Sequence, residues 1–331
     1  MDLSHLAVDN LIQTRTLTDL GLDAYGIRAL GRAGKLKRCS HGWYAVAPVD
    51  GPVPWQGADH WESNRLWHLL RLKAHLRAFA DRAAASHQSA VLLHGGRILH
   101  ADLDVVHLER TRDDHSRRRS GAVIHPGGGH EYLTVTTSVE HPGGYLSVTP
   151  AMAAVQVGLI GHEQGHIRAL ESLVAAESLL WSGATTAAEL AAAVEECARH
   201  PGILSVRHVL AGAESGSESA GETLMCLGLR RLGCGYRQQV EISGTSFRVD
   251  ALLDDDSTIL EFDGKGKYFL PRGPDAQVDP RAALAAEKER HDQLVRLGYG
   301  VGRVGWPMVW NLRSLAAEVE AARSRVRRRS A

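Results

Sequence analysis

Phe247-Arg-Val-Asp250, a short acidic turn, and Thr258-Ile-Leu-Glu261-Phe-Asp263-Gly-Lys265-Gly-Lys267 form the segment that decides the reading of the C-terminal half. Phe247 to Leu253 and Thr258 to Phe262 read as strands that carry carboxylates among apolar residues. A strand normally buries one face, and Asp and Glu are almost never buried without a partner. Side chains alternate along a strand, so Glu261 and Asp263 project to one side and Leu260 and Phe262 to the other. Three carboxylates converging at the ends of adjacent strands suggest a divalent cation, and the lysines would set positive charge beside a phosphate. That combination is expected of a metal-dependent nuclease. Mg²⁺ favours one or two carboxylates plus waters and phosphate oxygens. Asp250 and Glu261 supply such a pair, and Asp263 or Glu222 a third ligand. Lys265 or Lys267 would orient the attacking water or steady developing charge. The plainer alternative is that Asp250 and Glu261 pair with arginines such as Arg248 or Arg303. The acidic turn at Asp254 to Asp256 reads as a solvated loop.

Around this segment, Glu222 to Leu232 and Arg281 to Leu297 read as helices, and Tyr236 to Ile242 and Tyr299 to Val304 as strands. Helix, three strands, helix, strand is an α/β arrangement. Glu222, Met225, Leu229 and Leu232 share one helix face, and Glu287, Arg290, Leu294 and Leu297 share another. Charges on stripes that otherwise seek a core are what a recessed polar site requires.

The full chain has 331 residues, which is long for one domain, so two or three are expected. Lys+Arg and Asp+Glu balance at 38 each, which excludes a uniformly basic nucleic-acid coat and confines any such contact to local patches. The four cysteines (Cys39, Cys197, Cys226, Cys234) are scattered without a CxxC pair, as expected in a reducing compartment. The start lacks the apolar core of a signal peptide, and no apolar run approaches the ~20 residues that span a bilayer. A cytoplasmic protein without membrane segments is expected.

Residues 1–50 read as three helices (Leu3 to Ile12, Leu17 to Gly21, Asp23 to Ala33) and a hairpin from Leu36 to Val46 turning at Ser-His-Gly. Helices followed by a hairpin make a winged helix-turn-helix. Arg28, Arg32, Lys35, Lys37 and Arg38 form a basic cluster across the third helix and wing, the charge that phosphate contacts flanking a recognition helix need. Residues 51–210 read as an α/β connector, with helices over Arg65 to Ala85, Ala151 to Leu159, Ile167 to Trp181 and Ala187 to His200, and strand-like pieces at Ala90 to Leu93 and Val105 to Leu108. Trp55, Trp61 and Trp67 read as packing residues, and His94, His100 and His107 as core or surface histidines. Residues 211–221 are a small, polar linker, 222–315 the C-terminal domain, and 316–331 a basic tail with five arginines in the last nine residues.

Phe-Arg-Val-Asp250, Glu261-Phe-Asp263-Gly, Lys267-Tyr, Glu287-Lys288-Glu-Arg290-His-Asp292-Gln-Leu and Gly298-Tyr-Gly-Val-Gly-Arg303-Val together resemble the Vsr-like domain of unknown function in the PD-(D/E)XK nuclease superfamily, over about Glu218 to Trp310. The resemblance implies a restriction-endonuclease-like mixed sheet flanked by helices, Mg²⁺ (or Mn²⁺) and phosphodiester hydrolysis, with Arg290 toward DNA. One departure stands out: the lysine two residues after the glutamate is Asp263 here. Either Lys265 or Lys267 has taken over, or the metal chemistry is altered or lost. Leu17-Thr-Asp-Leu-Gly21, Ile27-Arg28-Ala-Leu30, Gly34-Lys-Leu-Lys37-Arg38 and Gly42-Trp-Tyr44 resemble the AbiEi-type antitoxin winged helix, which implies operator or DNA binding and a toxin partner. The middle region is similar to the segment that joins these two modules.

His162-Glu163-Gln-Gly-His166 matches H-E-x-x-H, a zinc-peptidase signature. Gly161 and Gly165 are poor residues for the required helix, and no third ligand follows at the usual spacing. The leading expectation is a multidomain α/β DNA-binding protein with a metal-dependent endonuclease domain, in phage defence or a toxin–antitoxin system. The alternative is a non-catalytic regulator or antitoxin with a degenerate nuclease domain, with a zinc peptidase third.

Overall fold

The computed structural model describes residues 2–112, 117–119, 121–127, 130–137, 139, 141–160, 166–264 and 280–327. The chain divides into two compact units, 1–211 and 212–331, each mixed α/β. Among the described residues there are twelve α-helices and three sheets. No described helix is long and apolar enough to cross a membrane.

The first unit begins with a 3₁₀ turn at Ser4–Leu6, β1 (Leu11–Gln13), α1 (Thr14–Asp19), α2 (Ala24–Arg32), β2 (Leu36–Ser40) and β3 (Trp43–Val46). The helix expected over Leu3 to Ile12 does not form. Asp9 and Asn10 both take positive φ (51° and 59°), a conformation their short polar side chains tolerate, and this turns the chain into β1. β1 then pairs with β3 in the order β1-β3-β2. The Asp23 carboxylate starts α2 by accepting from the Gly26 amide (2.7 Å), and Gly34 at φ 71° ends it. Leu3, Ile12, Leu17, Ile27, Leu36 and Val46 fill the core between helices and sheet.

The rest of this unit runs α3 (His60–Phe79), β4 (Ala83–Ala85), α4 (His87–Leu93), β5 (Val106–Arg110), β6 (Arg117–Arg119), β7 (Ala122–His125), β8 (Leu133–Thr136), β9 (Tyr145–Val148), α5 (Pro150–Leu159), α6 (His166–Trp181), α7 (Ala187–Glu196) and α8 (Ile203–Leu210). Its sheet is mixed, in the order β6-β7-β5-β4-β9-β8. Two sequence expectations fail here for one reason. Ala83–Ala85 was expected at the end of a helix that stops at Phe79, but it is fully buried as the central strand β4, where small side chains let helices pack close. Ala90 to Leu93 was expected as a strand and belongs to helix α4. Short apolar runs do not distinguish a buried strand from a buried helix, and packing decides. Trp55 and Trp67 pack edge to face at 6.3 Å, whereas Trp61 is exposed.

The second unit runs α9 (Ala220–Arg231), β10 (Tyr236–Glu241), β11 (Arg248–Leu253), β12 (Thr258–Phe262), α10 (Pro280–Arg296), β13 (Gly300–Val304), α11 (Trp306–Val309) and α12 (Leu312–Arg327). β10, β11 and β12 form an antiparallel meander, and β13 returns through α10 to lie parallel to β12. Met225, Leu229, Leu260, Phe262, Leu315, Val319 and Ala322 make the core between the sheet and α9 and α12. Val249, Leu252, Ile259, Leu294 and Val301 make a second cluster with α10. The basic tail expected over 316–331 is largely α12. Its apolar residues recur at helical spacing (Leu315, Val319, Ala322) and are buried, so the segment closes the sheet instead of trailing into solvent.

Candidate functional site

Two carboxylates of the deciding segment, Asp250 and Glu261, lie on a single row of the sheet. Ala251 pairs with Leu260 in the β11–β12 ladder, so extending that register by one residue sets Asp250 opposite Glu261. Glu261 in turn pairs with Arg303 across β12 and β13. Like charges directly opposite one another in a sheet repel. Here the counter-charge comes from α10, whose Arg290 forms an ion pair with Glu261 and also donates to the Arg248 carbonyl at 3.1 Å. Glu287, one turn earlier, lies 3.5 Å from Arg290 and 2.7 Å from Arg303. Three carboxylates (Asp250, Glu261, Glu287) therefore meet two guanidiniums (Arg290, Arg303). Glu261 is 9% exposed, and the Arg290 side chain is 23% exposed. One Asp250 carboxylate oxygen accepts from the Phe262 amide at 2.8 Å, which locks it to β12.

Glu222 has a different placement. Its carboxylate accepts from the Glu218 amide (2.8 Å), the Ser219 hydroxyl (2.8 Å) and the Gln239 side-chain amide (3.0 Å), while its own amide donates to Ser219 Oγ (3.2 Å). This is a capping arrangement at the start of α9 with both oxygens engaged. Gln239 holds φ at 51°, unusual in mid-strand. The turn lets the adjacent Gln238 and Gln239 both serve the α9 side: Gln238 donates to Ser217 Oγ (3.0 Å), and Gln239 to Glu222. Gln239 lies opposite Asp250 when the β10–β11 register is continued, so Glu222 supports the row from behind. Gly221 is required here, because a Cβ at that position would collide with the Phe262 ring.

Asp263 is half-buried just beyond β12, and its amide donates to the Val304 carbonyl at 2.9 Å. Lys265 and Lys267 lie outside the described residues, as do His162, Glu163 and the side chain of His166. No three of the carboxylates proposed as ligands bring their oxygens within 4.8 Å of one another among the described residues. The expected three-carboxylate convergence is thus reduced to the Asp250–Glu261 pair, because Glu222 is committed to the helix start. The pair still suits Mg²⁺, which asks for one or two carboxylates. Arg290 competes for Glu261. The expected partners Arg248 and Arg303 pair instead with Glu218 and Glu287.

In the first unit, Arg28, Arg32, Lys35 and Arg38 are exposed, with the Arg32 guanidinium 5.8 Å from the ring centre of an exposed Tyr25. Lys37 is placed differently. Its ammonium sits 3.8 Å from the Trp67 ring centre and 5.8 Å from that of Trp55, and burial there lowers its pKa from the usual lysine value. The tail arginines Arg323 and Arg325 are spent on Asp255, Glu320, Glu318 and the Val301 carbonyl.

The acidic turn is also organised. Asp255 accepts from the amides of Ser257 (3.0 Å) and Thr258 (2.8 Å) and from the Thr258 hydroxyl (3.0 Å), so it builds the β11–β12 turn. Sequence reasoning also passed over a group in the first unit, the histidines at 87, 107 and 125. His107 was read beside His94 and His100, but His94 bonds the Val148 carbonyl (2.9 Å). Two-residue alternation of His107 and Glu109 on one strand was the available signal. No known family model matches the chain, and no curated protein matches it.

Proposed function

We propose that the chain is a DNA-binding protein whose second unit is a restriction-endonuclease-like domain that hydrolyses phosphodiester bonds with Mg²⁺ or Mn²⁺. The observation that carries this reading is the row Asp250–Glu261 on adjacent strands, opposed by Arg290 from the crossing helix. Two hard oxygen donors beside a guanidinium suit a cation and a phosphate together. Asp250 and Glu261 would hold the cation, which when bound supplies Lewis-acid polarisation of a phosphoryl oxygen and acidifies a water. Arg290, held by Glu261 and Glu287, is placed to bind a phosphate oxygen, and Arg303 keeps Glu287 in position. Lys265 or Lys267 takes the role of the lysine displaced by Asp263. The mixed sheet between helices agrees with the resemblance that the motifs carry.

Residues 1–50 at the start of the first unit are proposed as the DNA-docking module, a winged helix-turn-helix. A turn, strand, two helices and two strands, with the first strand closing the hairpin into a sheet, support that reading. Exposed Arg28 and Arg32 on α2 and Lys35 and Arg38 at the wing supply phosphate contacts. The engagement of Glu261 by Arg290 favours one second reading, a regulator whose nuclease-like unit binds DNA without cutting it.

Supercoiled plasmid and single-stranded DNA incubated with Mg²⁺ or Mn²⁺ separate the two. Metal-dependent nicking lost in both Asp250→Asn and Glu261→Gln is the expected result. A wild-type protein that shifts DNA but cuts neither substrate would replace the enzyme with the regulator.

A further inference from the structure

From the arrangement of His87, His107 and His125, we infer a transition-metal site of the Zn²⁺ class in the first unit, separate from the carboxylate row. One ligand nitrogen from each ring lies within 4.8 Å of the others, the only such set among the described residues. The fold brings the three together from distant positions. His107 and Glu109 are two residues apart on β5 and share a sheet face; His125 on the parallel neighbour β7 pairs with Glu109. His87 enters from the start of α4, and the Ser86 amide donates to the His107 carbonyl (3.2 Å), tying that helix start to β5.

The second contacts of these rings are of the kind that orient metal ligands. His87 Nδ1 lies 3.0 Å from Ser86 Oγ, which leaves Nε2 as its ligand atom. His107 Nδ1 and His125 Nε2 point at each other at 2.9 Å, so one hydrogen now sits where an ion would bind both lone pairs. His107 Nε2 meets the Gln88 amide at 3.1 Å, and the Gln88 Oε1 is buried with no partner. Exchanging the two ends of that amide lets Oε1 accept from His107 Nε2–H. The tautomer then moves its proton within one ring, from Nδ1 to Nε2, and frees Nδ1 for coordination with no net proton released. Donation of the distal N–H to an amide or carboxylate oxygen is the usual support of a metal-bound histidine. Behind His87, its backbone amide donates to Gln156 Oε1 (3.1 Å), and Gln156 donates to buried Glu109 (2.6 Å).

A further observation agrees with the site. His87 holds φ at 51°, a left-handed conformation that costs a non-glycine residue about 1 kcal/mol and tends to persist where function fixes the geometry. Three nitrogens leave one tetrahedral position for water or an outside ligand, and half-buried His125 marks the side open to it.

The test uses the full-length protein stripped with chelator and dialysed against Zn²⁺, then Co²⁺. The expected result is one equivalent bound per chain at this site, intense four-coordinate Co²⁺ absorption displaced by Zn²⁺, and a thermal midpoint raised by the metal. His125→Gln and His107→Gln should each lose that equivalent, while Asp250→Asn and His162→Gln keep it. No uptake by the wild type, weak six-coordinate absorption, uptake that survives both histidine variants, or its loss in Asp250→Asn or His162→Gln would each overturn the site. If the histidine variants do not fold, the Co²⁺ spectrum of the wild type decides. This outcome is independent of DNA cleavage, which the carboxylate variants report.

Discussion

Removing the Arg290 guanidinium should damage the second unit more than removing the carboxylate it holds. Arg290→Met leaves Glu261, Asp250 and Glu287 clustered against Arg303 alone, with Glu261 9% exposed. Breaking a buried pair from one side strands an uncompensated charge and costs about 3–5 kcal/mol. The Arg290 side chain keeps 23% exposure, so water screens part of the loss and the low end, about 3 kcal/mol, applies. Hydrogen exchange of the β12 amides reads this directly, since the Phe262 N–H is bonded to Asp250 in the same row. At 1.36 kcal/mol per tenfold, about 3 kcal/mol accelerates exchange from the opened hairpin about 150-fold. The double variant Arg290→Met/Glu261→Gln removes both charges and should recover at least half of that loss in free energy. Acceleration under tenfold in the single variant, or a double variant that exchanges faster still, would refute the stranded-charge argument.

Three other outcomes follow from the packing. His68 is fully buried between the Leu103 carbonyl and Ser89, and burial holds its pKa down at about 4 against an ordinary 6.5. The unfolded chain therefore binds the proton first, so stability present above pH 6.5 falls as pH drops toward 4, by about 3 kcal/mol; His68→Gln should flatten the melting curve's pH dependence over that window. Gly221→Ala forces α9 away from Phe262 and should cost about 2 kcal/mol in urea unfolding. Arg28→Ala and Arg32→Ala should each weaken DNA binding and flatten its salt dependence by about one contact, whereas Lys37→Ala should lower the melting temperature with little effect on binding.

Sequence reasoning located the four strands of the second unit and its helices α9 and α10 closely, whereas α11 was not anticipated and α12 was expected as a tail. Thr258–Phe262 is bounded as expected, and Arg281 to Leu297 differs from α10 by one residue at each end. Charged positions on the α10 stripe, Glu287 and Arg290, were legible because a charge at core spacing needs a partner across the interface. What escaped was set by contacts distant in sequence. The role of Glu222 depends on Ser219 and on Gln239, whose positive φ no local propensity announces. Ala83–Ala85 has helix-forming residues in a strand because tertiary burial outweighs a propensity difference of well under 1 kcal/mol per residue. His87 and His125 are 38 positions apart and meet only through β5, so no spacing rule could join them.

The polar row has a consequence for how the hairpin zips. Sliding β12 past β11 by one residue would swing Glu261 into the oily layer of Met225, Leu229 and Leu315 and present Leu260 to Arg290. That one-residue slip buries a charge without its mate, and the five-residue strand is too short to offset the loss with apolar contacts. Asp250, Glu261 and Arg290 therefore act during assembly as an alignment key against that slip, whatever they later do to a phosphate.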